Sequence, residues 1–491
     1  MRALAADGRP ARYCPGLPSG LVSFPIVVPD RFQPLIDETR PLAERFSAAG
    51  KRLYLVGGVV RDTILGRDRS DDIDFTTDAT PEEALRIVRG ANPQAIWTQG
   101  QRFGTIGAQF GERKYEITTH RGDAYHEDSR NPEVVFSTDI ESDLSRRDFT
   151  VNAMALALPE LRFVDPFDGA ADLFARRLRT PLDPEISFRD DPLRMLRAAR
   201  FVAGFELAPD AELVDAVKRL RSRLEIVSAE RIRDELDKLM VVASPSAGLW
   251  FLVETGLAEE FLPELPAMAL EQDPIHRHKD VLAHTIAVVE KTSQDKLVRL
   301  AALFHDVAKP KTRSIGPQGV SFHHHDVVGA RMTRDRMRAL KYSNEDVHDV
   351  SELVSLHLRF HTYSMGWTDS AVRRYVRDAG PLLDRLNELT RCDCTTRNPR
   401  KVEVLAKRMD DLEDRISVLR EQEELDAIRP DLDGTDVMAH LGVGPGRVVG
   451  QALTMLLEAR LEDGPLGRDE ALRRLDEWWA AQGNAGDALR L

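Results

Sequence analysis

Short apolar runs separated by polar turns fill the chain from about residue 32 to residue 175. Leu53–Val56, Asp72–Thr76, Thr105–Phe110 and Tyr115–Thr118 read as strands with helical stretches between them. Beyond about residue 180 the strand signal fades. Long segments rich in Leu, Ala, Arg and Glu take over, among them Pro192–Ala203, Ala229–Val242 and Asp346–Leu358, which carry helical periodicity. Breaks at Pro245, Pro263–Pro274, Pro381, Pro399 and Pro430 mark helix ends. The pattern predicts an α+β head followed by an all-helical body. Residues 1–31, rich in Pro, Gly and Ala, read as a flexible tail.

Composition narrows this picture. Of 491 residues, 42% are hydrophobic and 30% charged, which is a globular balance with room for several domains. A net charge of −13 excludes a protein coated in basic surface, so phosphate contacts are expected in a local arginine cluster. Cys14, Cys392 and Cys394 are too few for a disulfide framework and fit a reducing, cytoplasmic setting. The lone C-x-C has no partner pair for zinc. No signal-peptide pattern and no run of about 18 apolar residues appears, so no membrane partner is expected. The oligomeric state is not written in these features.

The densest chemistry lies in LVGGVVRDTILGRDRSDDIDF, Leu55 to Phe75. Gly57 and Gly58 form a tight turn that lets backbone approach a phosphate, and the helix from Val59 to Leu65 would aim its first N–H groups at that phosphate. Asp72 and Asp74 are spaced i, i+2 on a strand and share one face, with Ile73 and Phe75 on the other. Two neighbouring carboxylates repel unless cations sit between them, and two Mg²⁺ ions would both relieve that repulsion and polarise the oxygens of a phosphoryl transfer. Glu116 alternates with Tyr115 and Ile117 and is taken as a third carboxylate. In DLSRRDFTVNAMAL, Arg146 and Arg147 suit a triphosphate and Asp148 suits a ribose hydroxyl; the same spacing also fits a charged helix start capped by Asp148 or Thr150.

These segments, with DPFDG (Asp165–Gly169), RDDPLRMLRAARF (Arg189–Phe201) and ERIRDELDKLM (Glu230–Met240), occur in order over about residues 50–245. The head resembles the nucleotidyltransferase domain of class II tRNA CCA-adding enzymes and bacterial poly(A) polymerases, which has a DNA-polymerase-β-like fold. The resemblance implies a nucleotidyltransferase head (32–175), a helical neck (176–268), an HD domain (269–400) and a helical RNA-binding tail (401–491). It implies Asp72, Asp74 and Glu116 as catalytic carboxylates, the first two holding Mg²⁺. It also implies a nucleotide site drawn from Gly57, Gly58, Arg61, Arg147, Asp148, Asn152, Asp191, Arg194, Arg197 and Arg200. Asp191 and Arg194 match the pair that reads the incoming base. Cytosine and adenine each offer an amino donor beside a ring-nitrogen acceptor, which an Asp and an Arg complement. Uracil and guanine would leave partners unpaired, at about 1–3 kcal/mol each. Arg197 and Arg200 continue the stripe toward phosphate, although an ordinary charged helix face has the same spacing.

The implied activity is addition of CCA to a tRNA 3′ end from CTP and ATP, with poly(A) synthesis as the rival. GQRFGTI (Gly100–Ile106) lacks the more basic form of the poly(A) enzymes, and Arg121–Val134, with Tyr125, Arg130 and Pro132, resembles the flexible loop of enzymes that add the terminal A. The second rival is an alarmone synthetase/hydrolase, which also joins an HD domain to a nucleotidyltransferase; the head-first order and the RRDFTVNA motif oppose it. An RNA-binding protein with dead sites is opposed by the intact Asp72, Asp74 and Glu116 set.

A second constellation follows. His284, the adjacent His305 and Asp306, His325, His357 and Asp393 lie in helical context, a donor set suited to a divalent transition metal or Mg²⁺. The set resembles the HD phosphohydrolase superfamily. By that resemblance His284, His305, Asp306 and Asp393 are the primary ligands, and His325 and His357 complete a second metal. His276, His278, His323 and His324 are neighbours, and Lys309 is placed to meet a phosphate. In the tail, Leu432–Leu453 resembles the RNA-binding end segment of the class, Trp478 and Trp479 read as packing residues, and the chain from Gln482 reads as frayed.

Overall fold

The computed structural model describes residues 30–67, 72–124, 133–270, 280–316, 319–365, 367–394, 399–423 and 428–488. Residues 1–29, Tyr125, Arg130, Pro132, His276 and His278 lie outside them. The chain forms two compact units, the first closing at Ala170.

The first unit runs α1 (Gln33–Ala48), β1 (Leu53–Val56), α2 (Gly58–Leu65), β2 (Asp72–Thr77), α3 (Pro81–Gly90), β3 (Ala95–Trp97), β4 (Thr105–Phe110), β5 (Arg113–Thr119), β6 (Arg121–Ala124), β7 (Glu133–Phe136), α4 (Ile140–Ser145), β8 (Ala155–Leu158) and β9 (Phe163–Val164). Seven strands make one sheet in the order β3-β4-β5-β2-β1-β8-β9, and β6 pairs with β7 separately. Every neighbouring pair in the large sheet is antiparallel except β2 with β5. β1 lies inside the sheet with all four residues buried, which explains its unbroken apolar run. Tyr54 and Val56 pack with Ile140 and Leu144 of α4. α3 starts cleanly because Thr80 and Glu83 exchange side-chain to backbone bonds in a capping box.

The second unit is mainly helical. It contains α5 (Gly169–Ala175, which spans the junction), β10 (Arg177–Leu178), α6 (Pro184–Asp190), α7 (Leu193–Gly204), β11 (Ala208–Pro209), α8 (Ala211–Leu220), α9 (Ala229–Met240), α10 (Ser246–Glu254) and α11 (Glu264–Ala267). There follow α12 (Val281–Lys291), α13 (Lys296–Phe304), α14 (Lys309–Thr312), β12 (Arg313–Gly316), β13 (Gly319–Phe322), α15 (His325–Ala339), α16 (Asn344–Leu356), α17 (Asp369–Ala379), α18 (Leu383–Asp393), α19 (Pro399–Gln422), α20 (Gly434–Leu441), α21 (Arg447–Asp463) and α22 (Arg468–Ala488).

The all-helical expectation needs one correction: β10 pairs with β11, and β12 with β13. These strands are two to four residues long, too short to build a two-residue period in the sequence. α19 runs unbroken through the boundary placed at residue 400, and α22 continues past Gln482 to Ala488. Trp478 packs on the tail core of Leu432, Val437, Leu456 and Leu475.

Arg299 of α13 is the largest fully buried side chain. Its guanidinium donates to the carbonyls of Met240 and Val242, and at 3.3 Å to those of Ala243 and Thr292. It thereby satisfies carbonyls at the ends of α9 and α12 that have no helical partner. Arg299→Ala should lower the unfolding free energy of this unit by about 3 kcal/mol, because several buried acceptors lose their donor at once. Urea unfolding followed by circular dichroism reads the change.

Candidate active sites: a carboxylate head and a histidine–aspartate cluster

In the head, the parallel pairing of β2 with β5 sets Asp74 directly beside Glu116 and Asp72 beside Lys114. Residues opposite each other in a ladder share a face, so Asp72, Asp74 and Glu116 project together while Ile73, Phe75, Tyr115 and Ile117 are buried on the other side. Burial, then Arg147, then Asp72 act on Asp74, and the net effect raises its pKa. Burial raises that of Glu116, with Asp74 and Asp72 adding to it. Three carboxylates on one face, two of them pushed toward the neutral acid, form a donor set that a divalent cation would relieve.

Gly57 sits at the head of α2 with φ +73°, a left-handed conformation that favours glycine. A Cβ there would stand 3.0 Å from Nη1 of Arg147 and 3.7 Å from Oδ2 of Asp74, so the turn lies hard against both. Arg147 is held in turn by Asp143, which accepts from its Nη2 at 3.3 Å and from Nη2 of Arg146 at 2.6 Å. Asp143 is fully buried; against that desolvation, Arg146 and Arg147 bring its carboxyl down to about 2. Beside it Arg61 donates to Oδ1 of Asn152 at 2.6 Å, and Asn152 donates to Oδ1 of Asp148 at 2.9 Å. Asp148 also accepts from the Phe149 N–H at 2.9 Å. The predicted residues Arg61, Asn152 and Asp148 thus form one buried chain of hydrogen bonds, and Thr150–Asn152 is a short 3₁₀ turn.

In the helical unit Asp191 stands between α6 and α7. Its Oδ1 accepts from the Leu193 N–H at 3.2 Å, and its Oδ2 faces Nη2 of Arg231 at 2.9 Å. Arg194, buried, donates to Oγ of Ser187 at 2.9 Å. Arg197 and Arg200 face the buried Glu235 of α9, at 3.6 and 2.8 Å. Their charge offsets a carboxylate inside the core.

The six histidine–aspartate residues converge. His284, His305 and Asp393 place one ligand atom each within 4.8 Å of one another, and so do Asp306, His325 and His357. Asp306 joins the groups, with Oδ2 3.2 Å from Nε2 of His305 and Oδ1 3.6 Å from Nε2 of His325. Oδ1 of Asp393 lies 2.9 Å from Nε2 of His284. In His305, His325 and His357 the Nδ1 atom bonds a carbonyl three residues earlier, those of Ala302, Phe322 and Val354, at 2.6–2.7 Å. Such a bond puts the proton on Nδ1 and leaves Nε2 as a lone pair. The Nε2 atoms of His325 and His357 are buried without a hydrogen-bond partner. Despite complete burial, Asp306 and Asp393 raise the pKa of His305 to about 10, so its Nε2 holds a proton against the two carboxylates unless a cation takes that proton's place. Inward Nε2 atoms with the buried Asp306 and the half-buried Asp393 fit divalent cations.

Several residues of these sites escaped the sequence reading. Asp143 precedes Arg146 and Arg147 by three and four positions, a spacing that announces it. His361 reaches Asp393, Nε2 to Oδ2 at 3.7 Å, and sits four positions after His357. Arg231 had no local signal, since its partner lies 40 residues away.

The sheet, the glycine turn and the carboxylate face fit a nucleotidyltransferase head, and the histidine–aspartate cluster fits an HD domain. The chain matches the models of the poly A polymerase head domain over residues 53–179, the probable RNA and SrmB-binding site of polymerase A over 204–268, and the HD domain over 281–416. It is 35% identical over 443 residues to an A-adding tRNA nucleotidyltransferase of Deinococcus radiodurans, covering 87% of this chain and 95% of the relative. It is 39% identical over 237 residues to the CCA-adding enzyme of Geobacillus stearothermophilus, 48% of this chain and 56% of that one. The fold is shared with the Bacillus stearothermophilus CCA-adding enzyme solved with CTP (TM-score 0.67, 22% identity, 93% of this chain and 100% of that one). It is also shared with the Thermotoga maritima CCA-adding enzyme solved with tRNA (TM-score 0.57, 18% identity, 92% and 96%). The chain belongs to the CCA-adding enzyme and poly(A) polymerase family of nucleotidyltransferases, in its HD-containing form. No helix among the described residues is long and apolar enough to cross a membrane.

His120 supplies a pH test of the head. Its Nδ1 lies 2.8 Å from Oγ1 of Thr76, on the face that carries Asp74. Burial pushes its imidazole down to about 4, with Asp143 and Asp78 opposing. An unfolded histidine titrates near 6.5, so between pH 6.5 and 4 the unfolded chain binds more protons and the head loses stability as pH falls. At pH 5 the loss is roughly 2 kcal/mol. His120→Gln should remove that part of the pH dependence, read as a smaller difference in urea midpoint between pH 7.5 and pH 5.

Proposed function

We propose that the enzyme adds C, C and A to the 3′ end of tRNA, using CTP and ATP and releasing pyrophosphate. The observation that carries this reading is the register that sets Asp74 beside Glu116, against a glycine turn and Arg147. The RNA 3′-hydroxyl attacks the α-phosphorus, the bond to the bridging oxygen breaks, and pyrophosphate leaves. Asp72, Asp74 and Glu116 would hold Mg²⁺, which when bound supplies Lewis-acid polarisation of the attacking and leaving oxygens. Arg147, anchored by Asp143, meets the triphosphate beside the backbone of Gly57 and Gly58. Asp148, fixed by Asn152 and Arg61, accepts the ribose 2′-hydroxyl. Asp191 accepts the base amine and Arg194 donates to the ring nitrogen, each steadied by its partner, Arg231 or Ser187. We assign head, neck, HD domain and tail in that order along the chain.

A second reading is addition of the terminal A alone, favoured because the relative that matches 87% of the chain is an A-adding enzyme. Purified protein with Mg²⁺, all four NTPs and tRNA ending before CCA, or after CC, separates these readings when products are sequenced. CCA followed by a stop on the first substrate supports the proposal. Addition to the CC substrate only supports the second reading, and a long A tract would place the enzyme with poly(A) polymerases. Asp74→Ala should reduce incorporation by on the order of 10³-fold with the fold intact; unchanged incorporation would overturn the site.

For the HD cluster we propose metal-assisted phosphoester hydrolysis, with His284, His305, Asp306 and Asp393 as ligands and His325 and His357 serving a second metal. A divalent transition metal or Mg²⁺ bound there would activate water. His357→Ala should weaken Mn²⁺ binding at least as much as loss of an outer-shell partner does, roughly 10–100-fold. Mass-spectrometric metal analysis of desalted protein measures it.

A further inference from the structure

On the carboxylate face of the head sheet the ladders align residues from successive strands. Trp97 of β3 stands opposite Gly107 of β4, Gly107 opposite Glu116 of β5, and Glu116 opposite Asp74 of β2. Opposed residues of a ladder share a face, so Trp97, Gly107, Glu116 and Asp74 form one row on one side of the sheet. Trp97 lies on the edge strand and is 37% exposed. An indole that served the core would face the other side, where Ile106, Ala108, Tyr115 and Ile117 are buried.

Gly107 decides where the ring goes. A Cβ there would stand 3.0 Å from Cε3 of Trp97 and 3.8 Å from Cδ2, both atoms of the six-membered ring. The indole therefore leans over β4, toward Glu116, through space that a side chain at position 107 would fill. Neighbouring strands lie about 4.8 Å apart, so the ring stands about one strand from Glu116 and about two from Asp74. That separation is comparable to the reach from the 3′-hydroxyl of a nucleotide to its own base.

Stacking on an aromatic ring holds every base, because each has a π-face, and it adds little sequence preference. Such a grip suits an RNA end whose last base changes with each nucleotide added, where a hydrogen-bonding pocket would fit only one of the successive ends. We propose that Trp97, seated on Gly107, is the stacking platform for the 3′-terminal base of the RNA whose hydroxyl attacks. The incoming base is assigned to Asp191 and Arg194, so the platform serves the other nucleotide of the reaction. This role rests on nucleotide addition by the head, and it gives the growing RNA end a contact of its own beside the carboxylates.

The test compares wild type, Trp97→Leu and Trp97→Phe, each as the full chain. At saturating protein they bind an acceptor-stem RNA hairpin that ends before CCA and carries fluorescent 2-aminopurine as its last base; a control hairpin carries the 2-aminopurine in its loop. Wild type and Trp97→Phe should quench the terminal probe, Trp97→Leu should leave it bright, and the loop probe should respond equally in all three. In steady-state addition to unlabelled RNA, Trp97→Leu should raise KM for the RNA by about fivefold or more, with KM for CTP and the melting temperature unchanged and Trp97→Phe close to wild type. If Trp97→Leu lowers the melting temperature, the two probes on wild type still decide, since an equal response at end and loop overturns the platform. A rise in KM for CTP alone overturns the assignment to the RNA end and puts the incoming base on the ring. Nucleotide addition with quenching and KM unchanged in Trp97→Leu overturns the platform, leaves the reading of the head intact and makes the indole a cover for the sheet edge. If wild type adds no nucleotide yet quenches the terminal probe through Trp97, the reading of the head fails and the platform stands.

Discussion

The register of β2 against β5 is the constraint on which the head depends. It is the one parallel pairing in a seven-stranded sheet, and it spans the β3–β4 excursion. A slip of one residue would turn Glu116 to the face now occupied by Ile117 and bury a carboxylate where an isoleucine packs. The apolar face locks the register: Ile73, Phe75, Tyr115 and Ile117 are all buried, and Phe75 and Tyr115 meet with ring centroids 5.1 Å apart. Core packing on one side of the sheet therefore sets the spacing of charges on the other. The mutual repulsion of those carboxylates is tolerated because the hydrophobic side holds them in place.

A comparable division of labour runs through the helical unit, where buried arginines close the ends of helices. Arg299 gathers carbonyls after α9 and α12. Arg373 holds Glu423 at 2.7 Å and the Leu461 and Glu462 carbonyls at 3.2 and 3.1 Å, joining α17 to the ends of α19 and α21. Each serves acceptors that a helix end leaves unpaired, so a charge of this kind joins elements distant in sequence. Glu235 plays the complementary part, gathering Arg197 and Arg200.

Much of this was legible in the sequence, for physical reasons that differ from element to element. Leu53–Val56 and Thr105–Phe110 coincide with observed strands because each is a compact apolar or alternating run bounded by turns. Asp72 and Asp74 could be placed on one face by period alone. That Glu116 would face Asp74 could not, because it requires knowing which strands pair. The six residues of the histidine–aspartate set were legible as a group through the resemblance, but Asp306 as the bridge between two triads was not, since its two oxygens serve different partners. Arg197 and Arg200 could be read on their own helix as phosphate contacts or as a charged face, but their pairing with Glu235 could not, because that carboxylate belongs to a helix some 35 residues on. The β12–β13 pairing was invisible because RSIG and GVSF, each with a glycine at one end, lack the unbroken apolar run that marks Leu53–Val56.

The three histidines anchored by a carbonyl three residues earlier carry a consequence for how the cluster comes into being. Each imidazole receives its orientation from its own turn of chain, within Ala302–His305, Phe322–His325 and Val354–His357. The direction of each ring is therefore set locally, by a bond within four residues of chain. Tertiary assembly has only to bring the rings within range, so the order in which the helices dock leaves the direction of their Nε2 atoms unchanged. A small shift of α16 against α13 would alter the distances between the rings and leave their chemistry intact. Repacking of helices could thus change the spacing of the cluster with its histidines untouched.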